Sequence, residues 1–255
     1  MVPLTPEQPA AATAALTAAR PLASMAGGLL ERLFGPATSD VGKYLGARLA
    51  LCYSANLESV LEKSRALLLE KGNPDVRVPP RLGILIIDQG SWAEDEILQG
   101  MWAGLLVSSA TPDGQDDSNL MFADLLSGLS VVQARILEHG CANAKKALSD
   151  TGVLTASLED VPFATLTKIA GTTDIPRLDR ELNHLRTLGL LDARSGLPSH
   201  LMASRNFEQL RAGLTPSGLG LQMYARCKGA RDLLEFYDQA ATMTWSKRDK
   251  KDPPA

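Results

Sequence analysis

Residues 160–191 read DVPFATLTKIAGTTDIPRLDRELNHLRTLGLL. Two apolar patterns at helical spacing stand on either side of a break. The first runs from Asp160-Val161 through Leu166 and Ile169 to Ala170-Gly171. The second buries Ile175, Leu178, Leu182 and Leu185 before Leu188-Gly189. Thr172-Thr173-Asp174 separates them, and Thr173 or Asp174 caps the second helix by accepting from its free amides. Helix, short turn, helix at these lengths predicts a helix-turn-helix. A generic αα-hairpin carries the same pattern and stays open at this point.

Toward the C-terminus, Leu190-Leu191-Asp192-Ala193-Arg194 leads into a Gly-, Pro- and Ser-rich stretch. A second short apolar run ends at Leu214, and Leu214-Thr215-Pro216-Ser217-Gly218 starts a helix through Leu221, Tyr224 and Cys227. Helix pair, short strand, loop, short strand and helix give the outline of a winged helix. The last residues, KRDKKDPPA from Lys247 to Ala255, hold almost nothing apolar and read as a solvated tail.

Toward the N-terminus the chain reads as helices. Ser130 to Leu148 and Ser118 to Leu126 continue the helical period. Ile97-Leu98, Met101-Trp102 and Leu105-Leu106 form one apolar stripe behind Ser91-Trp92-Ala93-Glu94, which has the spacing of a capping box. Leu82 to Ile87 fits a strand or a short helix. Pro79-Pro80 before it and Gly90 after it favour the helix. A longer pattern runs from Ser39-Asp40 to the stop at Lys71-Gly72-Asn73-Pro74, and no strand is compelling in this half. The expected fold is mainly α, a helical N-terminal module followed by a winged-helix-like C-terminal module with a short β-ribbon. The boundaries fall at 1–26 (a flexible Ala/Pro-rich arm), 27–148 (the helical module), 149–229 (the winged-helix-like module) and 230–255 (a C-terminal helix and polar tail).

Composition narrows the chemistry. Of 255 residues, 45% are apolar, 22% charged and only 5% aromatic, so the core rests on Leu, Ala, Ile and Val. The net charge of -3 is unevenly spread. Residues 1–128 hold 9 Lys and Arg against 15 Asp and Glu, and residues 129–255 hold 17 against 14. Neither half is basic enough for tight nonspecific nucleic-acid binding. Three scattered cysteines make neither a disulfide framework nor a zinc site, and three scattered histidines weaken a His-based catalytic reading. No basic leader with an apolar core and no apolar run of spanning length is present, which predicts a cytoplasmic protein with reduced thiols.

The stretch from Val78-Pro79-Pro80 through Ser91-Trp92-Ala93-Glu94-Asp95-Glu96-Ile97-Leu98-Gln99-Gly100-Met101-Trp102-Ala103-Gly104-Leu105-Leu106 resembles the Abi-alpha family, named for abortive infection, a bacterial defence against phage. The segment Phe122 to Ser130 and the glycine-containing stretch from Phe34-Gly35-Pro36 through Gly46 are similar to the family as well. The likeness extends over roughly residues 27 to 227. It implies a role in anti-phage defence and transfers no catalytic residue.

The candidate sites follow from the residues. Trp92, Trp102 and Gln99 are candidates to line a recognition surface, and Asp95 and Gln99, one helical turn apart, present a polar edge to a partner. Trp102 sits with Met101 on the apolar face and belongs to the core. On the second helix of the pair, Arg177, Arg180 and His184 share a face at steps of three and four, with Lys168 on the helix before it. Residues 168–194 carry five positive and four negative charges, a thin footprint for a sequence-specific DNA reader. Asp113, Asp116, Asp117 and Asn119 depart from calcium-loop spacing and read as a solvated turn. The expectation is a non-enzymatic component of a phage-defence system, with no cofactor and no metal, that recognises a companion defence protein or a phage component. A winged-helix DNA-binding regulator is the alternative and a membrane-active toxin the third reading. Nucleic acid through the C-terminal module, membrane contact and homo-oligomerisation stay open as partners.

Overall fold

A computed structural model describes residues 55–72, 75–148, 153–157, 159–198, 210–238 and 243–245. The readings of the N-terminal arm, of the stretch to residue 54 and of the polar tail lie outside the described residues. Among the described residues the chain is mainly helical, with two small sheets.

The centre of the fold is α3 (Glu96–Ser108). Every residue from Met101 to Ser108 is buried, so the helix is enclosed all round where the sequence predicts one apolar stripe. The cause is the uninterrupted run of small and apolar residues, which leaves no polar face for water. Around it pack α1 (Ala55–Glu70), α2 (Pro80–Gly90), α4 (Leu120–Ser127), α5 (Val131–Asn143) and α8 (Gly218–Cys227). Burying Leu105 and Leu106 completely stabilises the fold by about 1.5–3 kcal/mol each.

The ends of these helices follow local chemistry. Pro80 occupies the first turn of α2, where its missing N–H leaves nothing unsatisfied. The capping box expected at Ser91 and Glu94 does not form. Ser91 instead finishes α2: its hydroxyl donates to the Asp88 carbonyl at 2.7 Å and its N–H to that of Ile87 at 3.1 Å. Asp95 caps α3, its carboxylate accepting from the Ile97 N–H at 3.0 Å. A reciprocal capping box forms at Ser130 and Gln133, at the start of α5.

Helix α5 ends at Asn143, five residues before the sequence pattern does. The Asn143 amide bonds back to the His139 carbonyl at 2.9 Å, and Ala144 leaves the helical conformation. The chain continues as β1 (Lys146–Leu148), which pairs antiparallel with β2 (Leu154–Ala156) and parallel with β5 (Met243–Trp245). The helix expected from Asp160 is likewise shorter. Residues 159–162 form β3 (Glu159–Pro162), and α6 (Phe163–Ala170) begins only after Pro162. Pro162 disfavours helix in the residue before it.

Asp174 caps α7 (Ile175–Thr187), accepting from the Arg177 N–H at 3.1 Å. The helix closes with a Schellman motif. The Leu190 N–H reaches the Leu185 carbonyl at 3.0 Å and the Gly189 N–H reaches that of Arg186 at 2.9 Å, with Gly189 at φ 71°. Next, β4 (Arg211–Leu214) pairs antiparallel with β3, Glu159 opposite Leu214 and Pro162 opposite Arg211. Gly213 is flanked on its other side by Gly196, and Leu191 stands opposite Pro216. Ser217 then caps α8 and donates to the Gly189 carbonyl, so the end of α7 and the start of α8 are tied together. A Cβ on Gly220 would lie 2.2 Å from the Leu190 carbonyl oxygen, and only glycine fits there.

One apolar cluster runs from Leu57 in α1 to Tyr237 in α9 (Leu233–Asp238). Helix α8 carries the join. It packs on both α3 and α5, and a Cβ on Gly104 of α3 would lie 1.8 Å from the Cys227 carbonyl oxygen.

Candidate recognition site

Trp92, Asp95 and Gln99 lie in and just beyond the turn between α2 and α3, and they differ in exposure. Trp92 is 69% exposed. Gln99 is buried, with its amide at the centre of a network. Its Nε2 donates to the Ala93 carbonyl at 2.9 Å and to Asn56 Oδ1 at 3.4 Å. Its Oε1 accepts from Ser59 at 2.7 Å and Lys63 at 3.4 Å. Gln99 therefore joins α1, α3 and the turn, and offers no polar edge to a partner. Asp95 accepts from α3 with one oxygen and from Arg135 Nη2 of α5 at 2.5 Å with the other. The turn is thus held from both sides, and Trp92 and Glu94 project from it into solvent.

Arg135 reaches a second place. A Cβ on Gly171, in the turn between α6 and α7, would lie 2.8 Å from its Nη1. The same helix α5 meets α7 through its capping box. Glu181 Oε2 accepts from Ser130 at 3.1 Å and from Gln133 Nε2 at 2.7 Å, and Gln133 Nε2 stands 2.8 Å from His184 Nδ1. With Gln133 donating, His184 accepts at Nδ1, a tautomer assigned from the network. Arg177 Nε lies 3.5 Å from Glu181 Oε1. Arg177 and His184 therefore reach the contact between α5 and α7, and Arg177, Arg180, His184 and Lys168 are all exposed. The sequence reading did not find the bridging roles of Arg135, Gln133 and Glu181. The Ser130-x-x-Gln133 spacing is the one legible signal among them.

The acidic turn after α3 binds its own backbone. Asp113 accepts from the Thr111 hydroxyl at 2.8 Å and the Gln115 N–H at 3.2 Å, and Asp116 from the Ser118 N–H at 3.0 Å. These bonds lower both carboxyl pKa values. Asn119 turns inward to the hydroxyls of Ser108 and Ser109. Among the described residues, no group of three or more His, Cys, Asp and Glu is placed to hold a metal ion. Burial pushes the Cys227 thiol and the Tyr224 hydroxyl up to about 12, and shifts Cys141 and Tyr237 in the same direction. Burial lowers Lys146, whose ammonium donates to the Ala142 carbonyl at 3.1 Å and lies 5.9 Å from the centre of the Tyr237 ring.

The motif-bearing helix α3, its fixed turn and the α5–α7 contact all fall within one match. A family model described as abortive infection alpha covers residues 53–225. The chain belongs to the abortive infection alpha family. No curated protein and no solved structure matches it. Membership sets this abortive infection alpha protein in the context of defence against phage. The matched segment opens just before α1 and closes within α8, so it takes in the described helices that enclose α3. Among the described residues, no helix of this family member is long and apolar enough to cross a membrane.

Proposed function

We propose that this abortive infection alpha protein is a non-enzymatic, cytoplasmic recognition component of anti-phage defence, responding to a phage component or a companion protein. The family match over residues 53–225 carries the reading. The fate of the motif residues supports its non-enzymatic side. Gln99, Asp95 and Arg135 are taken up in holding α1, α3, α5 and the turn together rather than presented to a substrate. Trp92 is the side chain of this region that offers area to a partner, and indoles are favoured anchors at protein interfaces.

The C-terminal unit is a winged helix in this reading. The order β3, α6, α7, the Gly196 bridge and β4, with Gly213 between Asp160 and Gly196, supports it. The same observation favours the second reading, a DNA-binding regulator acting through α7.

Challenge of cells with and without the gene, by a diverse phage panel at low and high phage-to-cell ratio, tests the proposal. Protection at low ratio with culture collapse at high ratio supports abortive infection. Protection at both supports direct interference with the phage. Equal killing of both strains by every phage, with the gene in its native neighbourhood, contradicts the proposal.

A further inference from the structure

Trp92 stands on a turn that has little freedom. The N–H groups of Ser91, Trp92 and Ala93 donate to the Ile87, Gln89 and Gly90 carbonyls at 3.1, 3.2 and 3.1 Å. Gln99 Nε2 holds the Ala93 carbonyl, and the Asn56 amide of α1 reaches the Ser91 carbonyl at 3.4 Å. The 69% exposed indole is thus displayed on a prearranged turn, and a partner does not have to order it.

The charge carried by this part of the chain has one sign. Residues 82–134 contain eight Asp and Glu and no Lys or Arg. Two cations reach the turn and its network from other helices, and both are engaged. Arg135 of α5 donates to Asp95 at 2.5 Å, and Lys63 of α1 to Ser59 at 2.6 Å and Gln99 at 3.4 Å. Glu94 and Glu96 are exposed and pair with no described residue. Asp95 caps α3, so the Glu94 carboxylate is not needed to hold the helix start. We propose that Trp92, with Glu94 and Glu96 beside it in the chain, is a docking surface for an arginine- or lysine-rich segment of a protein partner. The inference rests on the reading of Trp92 as a recognition anchor and names the chemistry of what it recognises. A guanidinium or ammonium group lies over the indole face, whose quadrupole attracts cations, and neighbouring cations of the segment pair with the two carboxylates. The same carboxylates repel a phosphate backbone, and a second copy docked by this surface on itself would set like charges against each other.

The test is a fluorescence-anisotropy titration of the full chain against a short labelled peptide alternating arginine and serine, with its glutamate–serine counterpart as control. The arginine peptide is expected to bind and the glutamate peptide not, and binding is expected to weaken with salt. Trp92→Leu keeps an apolar side chain without a π face and is expected to weaken binding at least about fivefold, with a smaller loss in Trp92→Phe. Glu94→Gln combined with Glu96→Gln is expected to weaken it at least about fivefold as well. Glu70→Gln combined with Asp117→Asn removes the same charge from exposed positions at the far end of α1 and beyond the end of α3, and is expected to leave binding unchanged. Urea midpoints confirm that each variant is folded. Three results each overturn the proposal: no binding of the arginine peptide at low salt, wild-type binding by Trp92→Leu, or equal weakening by the two charge-removing pairs. The last assigns the binding to the overall charge of the protein. Phage protection that depends on Trp92 without peptide binding removes this proposal and leaves the recognition reading standing. Peptide binding governed by Trp92, with no protection by the gene, does the reverse.

Discussion

At the scale of single residues, two glycines of α3 have opposite fates. Gly104 lies against the Cys227 carbonyl, where a methyl group has no room. Gly100 has open space around its missing Cβ. Gly104→Ala is expected to destabilise the protein by about 2–3 kcal/mol or more, because backbone must move. Gly100→Ala is expected to stabilise it by about 0.5–1 kcal/mol, since alanine restricts the unfolded chain and favours helix. Urea midpoints of the two variants check the pair, and equal shifts would contradict the close approach of α3 and α8. Neither fate is legible in the sequence, because the Cys227 carbonyl comes from a distant part of the chain. Gln99 teaches the same lesson. A glutamine in an apolar helix reads as a surface group until Ser59, Asn56 and Ala93 are brought around it. Trp102 was readable as core from its place beside Met101, whereas the exposure of Trp92 was not, because the Ser91 to Glu94 spacing reads as a helix start.

At the scale of elements, helices were legible and their ends less so. The period of three and four residues located α3, α5, α7 and α8, because each buries apolar residues at helical steps. The short strands β1 and β3 were absorbed into neighbouring helices, since three or four residues carry too little alternation to outvote a helical run. The Ser91 cap failed because its hydroxyl found the preceding helix first. The Leu-Thr-Pro-Ser-Gly segment was readable as a helix start but not as a joint. There Ser217 serves α8 and the end of α7 at once, so Ser217→Ala is expected to cost about 1–2 kcal/mol. Hydrogen exchange should then quicken at the Gly220 amide, which loses its cap, while the Leu82–Ile87 amides of α2 stay protected. Uniform loss of protection would show that the joint is not local.

At the scale of the whole molecule, the apolar cluster that unites α1 with α9 also holds four proton-losing groups neutral. Burial keeps Cys227 protonated to about 12 against an ordinary 9.0, and Tyr224 to about 12 against 10.0. Cys141 and Tyr237 are raised as well. The unfolded chain releases these protons earlier, so it binds fewer protons in that window and stability falls as pH rises. The loss begins above the ordinary thiol value of 9.0 and grows through that of tyrosine. Lys146 acts oppositely. Its folded value is lowered, so it favours the folded state as pH rises toward 10.5, but it is one group against four. Urea midpoints are therefore expected to decline steadily above about pH 9, and Cys227→Ala to make the first part of the decline shallower. A flat profile would contradict the burial of these groups.

On the proposed reading, this abortive infection alpha protein protects cells by recognition, with Trp92 on its fixed turn as the anchor. Plating efficiency of a phage panel tests this directly, on cells carrying the gene in its native neighbourhood as wild type or Trp92→Ala. The indole is exposed and makes no internal hydrogen bond to described residues, so the variant should keep the wild-type urea midpoint. Protection by the wild type and at least tenfold weaker protection by the variant are expected, in line with the loss of an interface anchor of about 1.4 kcal/mol or more. Full protection by the folded variant would contradict this reading.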